Sequence, residues 1–567
     1  MLYQTEGRNH EDHRDVSERG TAGAGDRRSR HTPEPRGRLE GDHRLLDRHR
    51  GQERDRAGER ARPFVDRRRH HRTDQTHRHQ GRTGAMQTLF NRFFGVEAML
   101  PKDRVAGEVP GTKEAYRNLT DIAIPSVMEM VMMSLIGMID TIMVSTIGTD
   151  AIAAVGLVGQ PRMLMLCVFF AMNTGVTAIV ARRKGQGRQA DANTTLKNSL
   201  MITLGISLLM MALGLMFSIN LMRFAGAEPG RTLEDADTYF RILMYALPCN
   251  ALSMCICAAQ RGVGNTKLTM YVNITSNLVN VLFNWLLING VGPFPRLGVQ
   301  GAAIATAIGM GVGFVLSMIS LFGARAGDTF LHLSLRERWR FDREAVSGIA
   351  KIGGSAMIEQ IAMRIGFFSY AKIVAGLGTD AFAAHQICSQ FLTLSFTFGD
   401  GIGIAGTSLV GQMLGRKRPD LAQMYGKIAQ RLALVTAIVI ASCVVLFREP
   451  LVGMFIHSDD GQNVRDLACR VMIIVAAFQP FQTSAVVISG ALRGAGDTKY
   501  VARVMLLTVT CMRPLIGLLA VYVIGTRMGL NELALLGCWG ASLVDMITRM
   551  TLCMRRFNSG KWHDIRV

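Results

Sequence analysis

Long apolar runs, separated by short charged segments, dominate the chain after residue 99. Each run is long enough to cross the hydrocarbon core of a bilayer, which takes about 20 helical residues. A backbone amide inside a bilayer needs a hydrogen-bond partner within its own segment, so runs of this length are predicted to be α-helices. The twelve predicted spans are 121–144, 151–180, 196–218, 237–258, 268–289, 299–323, 349–376, 381–411, 427–448, 467–490, 500–524 and 533–554.

Five of these runs contain a proline. Proline removes a backbone donor from a helix and crowds the preceding turn, so we expect a local kink or break at each one. The five residues are Pro125, Pro161, Pro248, Pro480 and Pro514.

The loops between the spans alternate in charge, with 17 Lys and Arg residues in one set and about six in the other. Basic loops stay in the cytoplasm. An even number of spans returns the chain to the side from which it started. The sequence therefore predicts that both termini are cytoplasmic.

The composition narrows the class of protein. The 567 residues are 49% hydrophobic and 19% charged, with a formal net charge of +20. A soluble enzyme carries about a quarter charged residues, and the spacing of the ten Cys fits no zinc site. Walker A, HExxH and GxSxG motifs are missing from the sequence, and its GxGxxG match at 401–406 lies inside an apolar run. We expect a polytopic membrane protein that is not an enzyme and has no resident cofactor.

Residues 1–85 form a distinct segment with 21 Arg, no Lys, 15 Asp and Glu, and 9 of the 13 His. Such a segment has no apolar face to bury, so we expect it to be disordered. We favour the hypothesis that it is not normally translated and that the true start is Met86 or Met99. The alternatives are a nucleic-acid-binding arm, which its acidic residues disfavour, and a metal site. The metal site would use His70, His71, His77 and His79.

The two halves of the apolar region resemble each other at a shift of 230 to 232 residues. The sequence GTDA occurs at 148–151 and 378–381, and RGVGNTK at 261–267 matches RGAGDTK at 493–499. Six spans per repeat give both halves the same orientation, an arrangement typical of transporters with a site between two lobes. We predict an all-α fold of twelve transmembrane helices in two pseudo-symmetric six-helix lobes.

Domain boundaries follow from the spans. We predict a cytoplasmic segment over 86–120 and an N-lobe over 121–323. A cytoplasmic linker over 324–348 leads to a C-lobe over 349–554, and a cytoplasmic tail covers 555–567.

Asp140 is the most informative polar residue, because it lies late in the first span without Lys or Arg beside it. Removal from water favours the neutral form of a carboxylate, so this residue is suited to exchange a proton or Na⁺. Asn280 and Asn284 of the fifth span share a helix face, and with Thr306 they are predicted to surround Asp140 and a cation. The amides would otherwise serve as contacts between helices.

Further charged residues lie in other spans. Asp545 and Arg549 are four apart in the order that suits a helical ion pair. Glu129 and Glu359 align in the repeat, which favours a role in the fold or in gating. The secondary candidates for the cation or substrate site are Glu129, Glu359, Arg364, Asp400, Asp545 and Arg549, and we expect those of the second half to be buried.

These motifs together resemble the multidrug and toxic compound extrusion (MATE) family over about residues 115–560. The resemblance rests on Ile124-Pro125, on Gly148 and Gly185, on the two RGxG[ND]TK loops, and on the end of the chain from Trp539 to Trp562. It implies a V-shaped pair of lobes in a bacterial inner membrane that exports amphipathic, often cationic, compounds in exchange for H⁺ or Na⁺.

The resemblance also assigns roles. Asp140 matches a family Asp implicated in ion coupling, while Asn280, Asn284 and Thr306 match polar positions associated with it. Two departures are evident. Some members have Asp where this chain has Asn284, and the Glu that one subgroup uses in span seven falls near Met363. We therefore do not transfer a sodium site to the second lobe from the resemblance, and whether that lobe carries an ion site stays open.

One alternative function is compatible with the same predicted fold, namely a flippase or exporter of a lipid-linked or anionic substrate. That function would need a cationic cavity, for which Arg364, Lys372 and Arg513 are the candidates. Our expectation is a monomeric antiporter whose partners are small-molecule substrates and the lipid bilayer, without nucleic acid.

Overall fold

The computed structural model describes residues 91–100, 105–227, 229–323, 329–334, 339–456 and 462–565. The predictions for residues 1–85 lie outside this part of the chain. Within it, the backbone forms twelve long helices and no β-strand. The helices are α1 (Thr112–Ser145), α2 (Thr149–Gly185), α3 (Gln189–Met216), α4 (Arg231–Gly262), α5 (Thr266–Asn289), α6 (Val299–Phe322), α7 (Arg343–Ala375), α8 (Thr379–Gly415), α9 (Pro419–Leu446), α10 (Gln462–Gly494), α11 (Thr498–Arg527) and α12 (Asn531–Asn558).

Ten of these helices are long and apolar enough to cross a membrane. The other two, α7 and α8, are of similar length but carry polar side chains within their apolar runs, such as Glu359 and Asp400. Most helices extend beyond the predicted spans by several residues. The extensions are polar, as at the start of α3, because these parts of the helices lie outside the hydrocarbon layer.

The repeated GTDA sequence begins the second helix of each half. Gly148 has φ +148° and precedes α2, and Gly378 has φ +106° and precedes α8. Side chains other than glycine rarely adopt these angles. Asp150 and Asp380 follow in the first turns, where a negative charge is favoured by the helix dipole.

Prolines do not break the helices, contrary to that part of the prediction. Pro125, Pro161, Pro248 and Pro480 lie inside helices that continue on both sides. Pro514 follows a π-helical segment of α11, Leu506–Met512, in which the backbone adopts wider turns. These wider turns leave room for proline, which cannot donate a backbone hydrogen bond to the preceding turn.

The helices form two lobes, α1–α6 and α7–α12. In the first lobe α2 packs on α4 and α5 on α6, while in the second α8 packs on α10 and α10 on α12. Between the lobes, α1 packs on α8 and α2 on α7, and α2 also meets α8. Because α1 corresponds to α7 and α2 to α8 in the repeat, the two principal contacts are equivalent under the pseudo-twofold symmetry.

The lobes meet at the end of the molecule that carries the basic loops after α2 and α8. Gly185 and Gly415, which are equivalent in the repeat, lie against each other there. A Cβ on Gly415 would lie 2.2 Å from the backbone oxygen of Arg182 and 2.8 Å from the Cα of Gly185. Only glycine at these positions allows the two backbones to come so close.

Hydrogen bonds between the lobes reinforce this contact. The side-chain amide of Gln412 donates to the backbone oxygen of Gly262 at 3.1 Å. Arg182 of the first lobe donates to the backbone oxygen of Ile565, near the end of the second lobe, at 2.6 Å. We refer to this end of the molecule, defined by Gly185, Gly415 and these bonds, as the sealed end.

Candidate functional site

Asp140 lies in α1, five residues before Ser145, the end of this helix that is distant from the sealed end. Its side chain is half-buried, and the amide of Asn284 in α5 donates to its carboxylate. Asn284 is fully buried, and its Oδ1 atom has no hydrogen-bond partner. An acceptor oxygen beside a carboxylate is left to bind a cation or a proton donor.

Asn280 and Thr306 lie next to this pair of residues. The amide of Asn280 donates to the Thr306 hydroxyl at 3.1 Å, and that hydroxyl donates to the backbone of Ala302 at 2.9 Å. The four predicted residues therefore come from α1, α5 and α6 and lie together in the first lobe. We refer to Asp140, Asn280, Asn284 and Thr306 as the N-lobe site.

Two residues of the N-lobe site were missed in the sequence. Tyr239 of α4 is buried, and its hydroxyl makes a hydrogen bond with Thr306. Arg162 of α2 is half-buried and close enough to act electrostatically on Asp140 and Tyr239. The sequence does contain a signal for Arg162, because an arginine inside an apolar span is costly and needs a counter-charge. A tyrosine in a span carries no comparable signal.

The side chains of the N-lobe site carry one carboxylate, two amides and one hydroxyl, whose oxygen atoms are hard donors. Among the described residues, no group of three His, Cys, Asp or Glu side chains lies close enough to hold a metal ion.

Glu129 lies elsewhere, at the middle of α1 and eleven residues before Asp140. It is fully buried and accepts bonds from Thr269 at 2.8 Å and Asn273 at 2.7 Å, in addition to Arg261 at 3.3 Å. Its repeat partner Glu359 is paired with Arg493 at 3.0 Å. These glutamates are thus neutralised by the arginines that begin the two RGxG[ND]TK loops.

Asp545 and Arg549 lie in the core of the second lobe. They form a buried ion pair at 2.9 Å, and Arg513 of α11 is a second partner of the same carboxylate at 2.5 Å. The guanidinium group of Arg513 also lies 5.1 Å from the ring centre of Phe367. This cluster is separate from the N-lobe site and is closed to water.

Two charges of the second half differ from the expectation that they are buried. Arg364 of α7 and Asp400 of α8 are both exposed, and so is Lys372. Sequence alone cannot place such residues, since a charge in an apolar run can face either a protein core or a water-filled cleft.

Comparison with known proteins gives consistent matches over the described helices. The family model MatE matches residues 125–286 and 355–519. A probable multidrug resistance protein NorM of Thermotoga maritima is 28% identical over 471 residues, which cover 82% of this chain and 95% of that protein. The multidrug resistance protein NorM of Vibrio cholerae is 25% identical, covering 68% of this chain and 83% of its own.

Solved structures share the fold. A MOP superfamily transporter from Pyrococcus furiosus, described as having a binding pocket of reverse polarity, superimposes with a TM-score of 0.72 at 21% identity. The match covers 79% of this chain and 97% of that one. The Vibrio cholerae transporter VcmN gives a TM-score of 0.71 at 18% identity, covering 80% and 99%. The predicted fold of twelve helices in two lobes is confirmed.

Proposed function

This chain belongs to the MatE family, and we propose that it is a secondary antiporter that exports amphipathic or cationic drug-like compounds in exchange for H⁺ or Na⁺. It is a multi-pass membrane protein. The proposal places it in the bacterial inner membrane, as a monomer with cytoplasmic termini and without a resident cofactor. The multidrug resistance relatives support export as the direction of transport.

The observation that carries the proposal is the contact between Asp140 and Asn284. A carboxylate at this depth needs a positive partner, and the unpartnered Oδ1 of Asn284 provides a second oxygen for it. A proton on Asp140 would satisfy that oxygen as a donor, and Na⁺ would bind both oxygens. Either cation neutralises the charge of Asp140 and thereby removes the attraction of Asp140 for Arg162.

Coupling then follows from differential affinity. Transport is driven only if the cation binds more tightly to the conformation that releases substrate outside. With the basic loops in the cytoplasm, the sealed end faces inward and the lobes are open to the outside. Asp140 lies near the open end, where an external cation can reach it.

The alternative, a flippase or exporter of an anionic substrate, requires exposed arginines in the cleft between the lobes. Arg513, one of its three candidates, is buried and bound to Asp545. Its other two, Arg364 and Lys372, are exposed on α7. On the same helix, the exposed neighbours of Arg364 are Ile361, Ile365 and Phe368, a pattern typical of a surface that faces lipid.

Dye efflux from proteoliposomes under separate pH and Na⁺ gradients tests the proposal. We expect one gradient to drive export by the unaltered protein, and Asp140→Asn to abolish that dependence while the protein still inserts. Asp121→Asn is the matched control, because Asp121 lies in the same helix and is exposed. Gradient-driven efflux that survives in Asp140→Asn would refute the proposed site.

A further inference from the structure

Three charged side chains meet in the core of the second lobe, and their charges do not balance. The Oδ2 atom of Asp545 in α12 lies 2.5 Å from Arg513 of α11 and 2.9 Å from Arg549 of α12. All three side chains are buried, with Arg513 exposed by 1% and Arg549 by 2%. Two guanidinium groups therefore share one carboxylate, and one positive charge is left without a counter-charge.

The other acidic side chains in the predicted spans of this lobe do not supply the missing charge. They are Glu359 and Asp400. Glu359 pairs with Arg493 at 3.0 Å, and Asp400 acts electrostatically on the same arginine. A charge that is buried without a partner is strongly destabilising, so the cluster of Arg513, Arg549 and Asp545 needs a further negative group.

The two arginines also have more donors than their surroundings accept. Each guanidinium group carries about five N–H donors, whereas one carboxylate has about four lone-pair sites. The Nε atoms of Arg513 and Arg549 have no hydrogen-bond partner. Within the described residues, every ion pair and hydrogen bond of these two guanidinium groups goes to Asp545. The free donors therefore call for an acceptor that the surrounding side chains do not provide.

Aromatic side chains of α7 cover the Arg513 side of the cluster. The guanidinium carbon of Arg513 lies 5.1 Å from the ring centre of Phe367 and 5.7 Å from that of Tyr370. The buried hydroxyl of Tyr370 has no hydrogen-bond partner, and both Arg513 and Asp545 act on it electrostatically. Tyr370 thus adds a third free donor, which comes from a third helix.

A monovalent anion matches this cluster better than water or a divalent anion. Its single negative charge balances the charge of the second guanidinium group, whereas water would leave that charge uncompensated. Sulfate or phosphate would bring a second negative charge, and the cost of removing an ion from water rises with its charge. Chloride is a spherical acceptor and can receive hydrogen bonds from donors on several helices.

We propose that Arg513, Arg549 and Tyr370 bind a chloride ion in the core of the second lobe. The ion accepts hydrogen bonds from the free donors and neutralises the second guanidinium group. Because Arg513 directly follows the π-helical segment Leu506–Met512 of α11, the ion joins α11 to α12 at the end of that segment. Its role is structural, and it concerns neither the coupling cation nor the exported compound.

The melting temperature of the purified full-length protein tests the site. The protein is prepared from cell lysis onward in mixtures of sodium chloride and sodium gluconate at constant ionic strength, because a closed site exchanges its ion slowly. A ligand that binds the folded state alone stabilises it in proportion to the logarithm of its concentration, once the site is mostly filled. We expect the melting temperature to rise by about 1–2 °C for each tenfold increase in chloride.

Arg549→Met separates this effect from the general influence of salts. The variant keeps Arg513 paired with Asp545 and removes the excess charge, so it should fold, and its melting temperature should not rise with chloride. Arg470→Met is the matched control and should keep the full dependence, since Arg470 is exposed and pairs with the exposed Glu532 at 3.5 Å. An undiminished chloride dependence in Arg549→Met would overturn the inference, and so would its absence in the unaltered protein.

Crystals of the unaltered protein grown in sodium bromide give a readout that does not depend on the folding of a variant. Bromide takes the place of chloride and is located by its anomalous scattering. We expect an anomalous peak within hydrogen-bonding distance of the guanidinium nitrogens of Arg513 and Arg549. Bromide peaks elsewhere in the crystal without one at this cluster would overturn the inference.

Discussion

Gly415 of the second lobe lies directly against Gly185 of the first, so close that a Cβ on Gly415 would be 2.8 Å from the Cα of Gly185. The two residues are equivalent in the repeat, and the pseudo-twofold axis therefore passes between them. A transporter that alternates between two openings must break this contact once per cycle. The pair therefore determines how stable the sealed end is.

Gly415→Ala should shift the conformational equilibrium away from the sealed state. The new methyl group would lie 2.2 Å from the backbone oxygen of Arg182, which cannot move without its helix. We expect a cysteine introduced beside residue 415 to react faster with a water-soluble maleimide when the protein also carries Gly415→Ala than when it does not. Gly354→Ala is the control, because nothing lies within 4 Å of its Cβ position. Equal rates in all three backgrounds would contradict the interpretation.

The Glu129–Arg261 pair should contribute strongly to stability. Glu129 is fully buried with three donors, and removal of one partner from a buried pair costs about 3–5 kcal/mol. Thermal unfolding in detergent of Glu129→Gln, Arg261→Met and the double variant gives the coupling energy between them. The exposed Arg117–Asp121 pair is the control and should show about 0–1 kcal/mol. A similar coupling energy for both pairs would contradict this prediction.

Arg162 should weaken cation binding at Asp140, because both positive charges compete for the same carboxylate. Replacement by Gln should therefore lower the cation concentration for half-maximal transport by about threefold or more. The measurement is the dependence of efflux on Na⁺ or on pH. Arg117→Gln serves as the control, since Arg117 is exposed and pairs with Asp121. An increase in the required concentration would contradict the competition.

Asp545 should matter for folding rather than for coupling. Its replacement by Asn would leave Arg513 and Arg549 buried without a counter-charge, at a cost of about 3–5 kcal/mol. We expect a large loss of folded protein in the membrane, measured by size-exclusion fluorescence, whereas Asp140→Asn should accumulate normally. Normal accumulation of Asp545→Asn with loss of transport would instead assign Asp545 to the coupling machinery.

The sequence was sufficient to predict the helices because a bilayer requires long apolar runs, and to predict two lobes because the repeat keeps its spacing over GTDA and RGxG[ND]TK. The resemblance to the MATE family is confirmed by the family match. The N-lobe residues could be proposed because polar groups in spans are rare. Tyr239 and Arg162 come from α4 and α2, and only helix packing brings them to Asp140.

The exposure of Asp400 also could not be predicted from the sequence. In the sequence it lies between two glycines in an apolar run, which suggested a buried charge. Its environment depends on where α8 leaves the cleft and enters the sealed end, a property of the packing between lobes.

The central claim is that Asp140 exchanges a cation for the passage of substrate. Recording dye exit and cation entry in the same proteoliposomes tests it most directly, with a trapped pH or Na⁺ indicator. The account predicts that dye stimulates cation entry through the unaltered protein and that this stimulation disappears in Asp140→Asn. Stimulation of unaltered size in Asp140→Asn would contradict it.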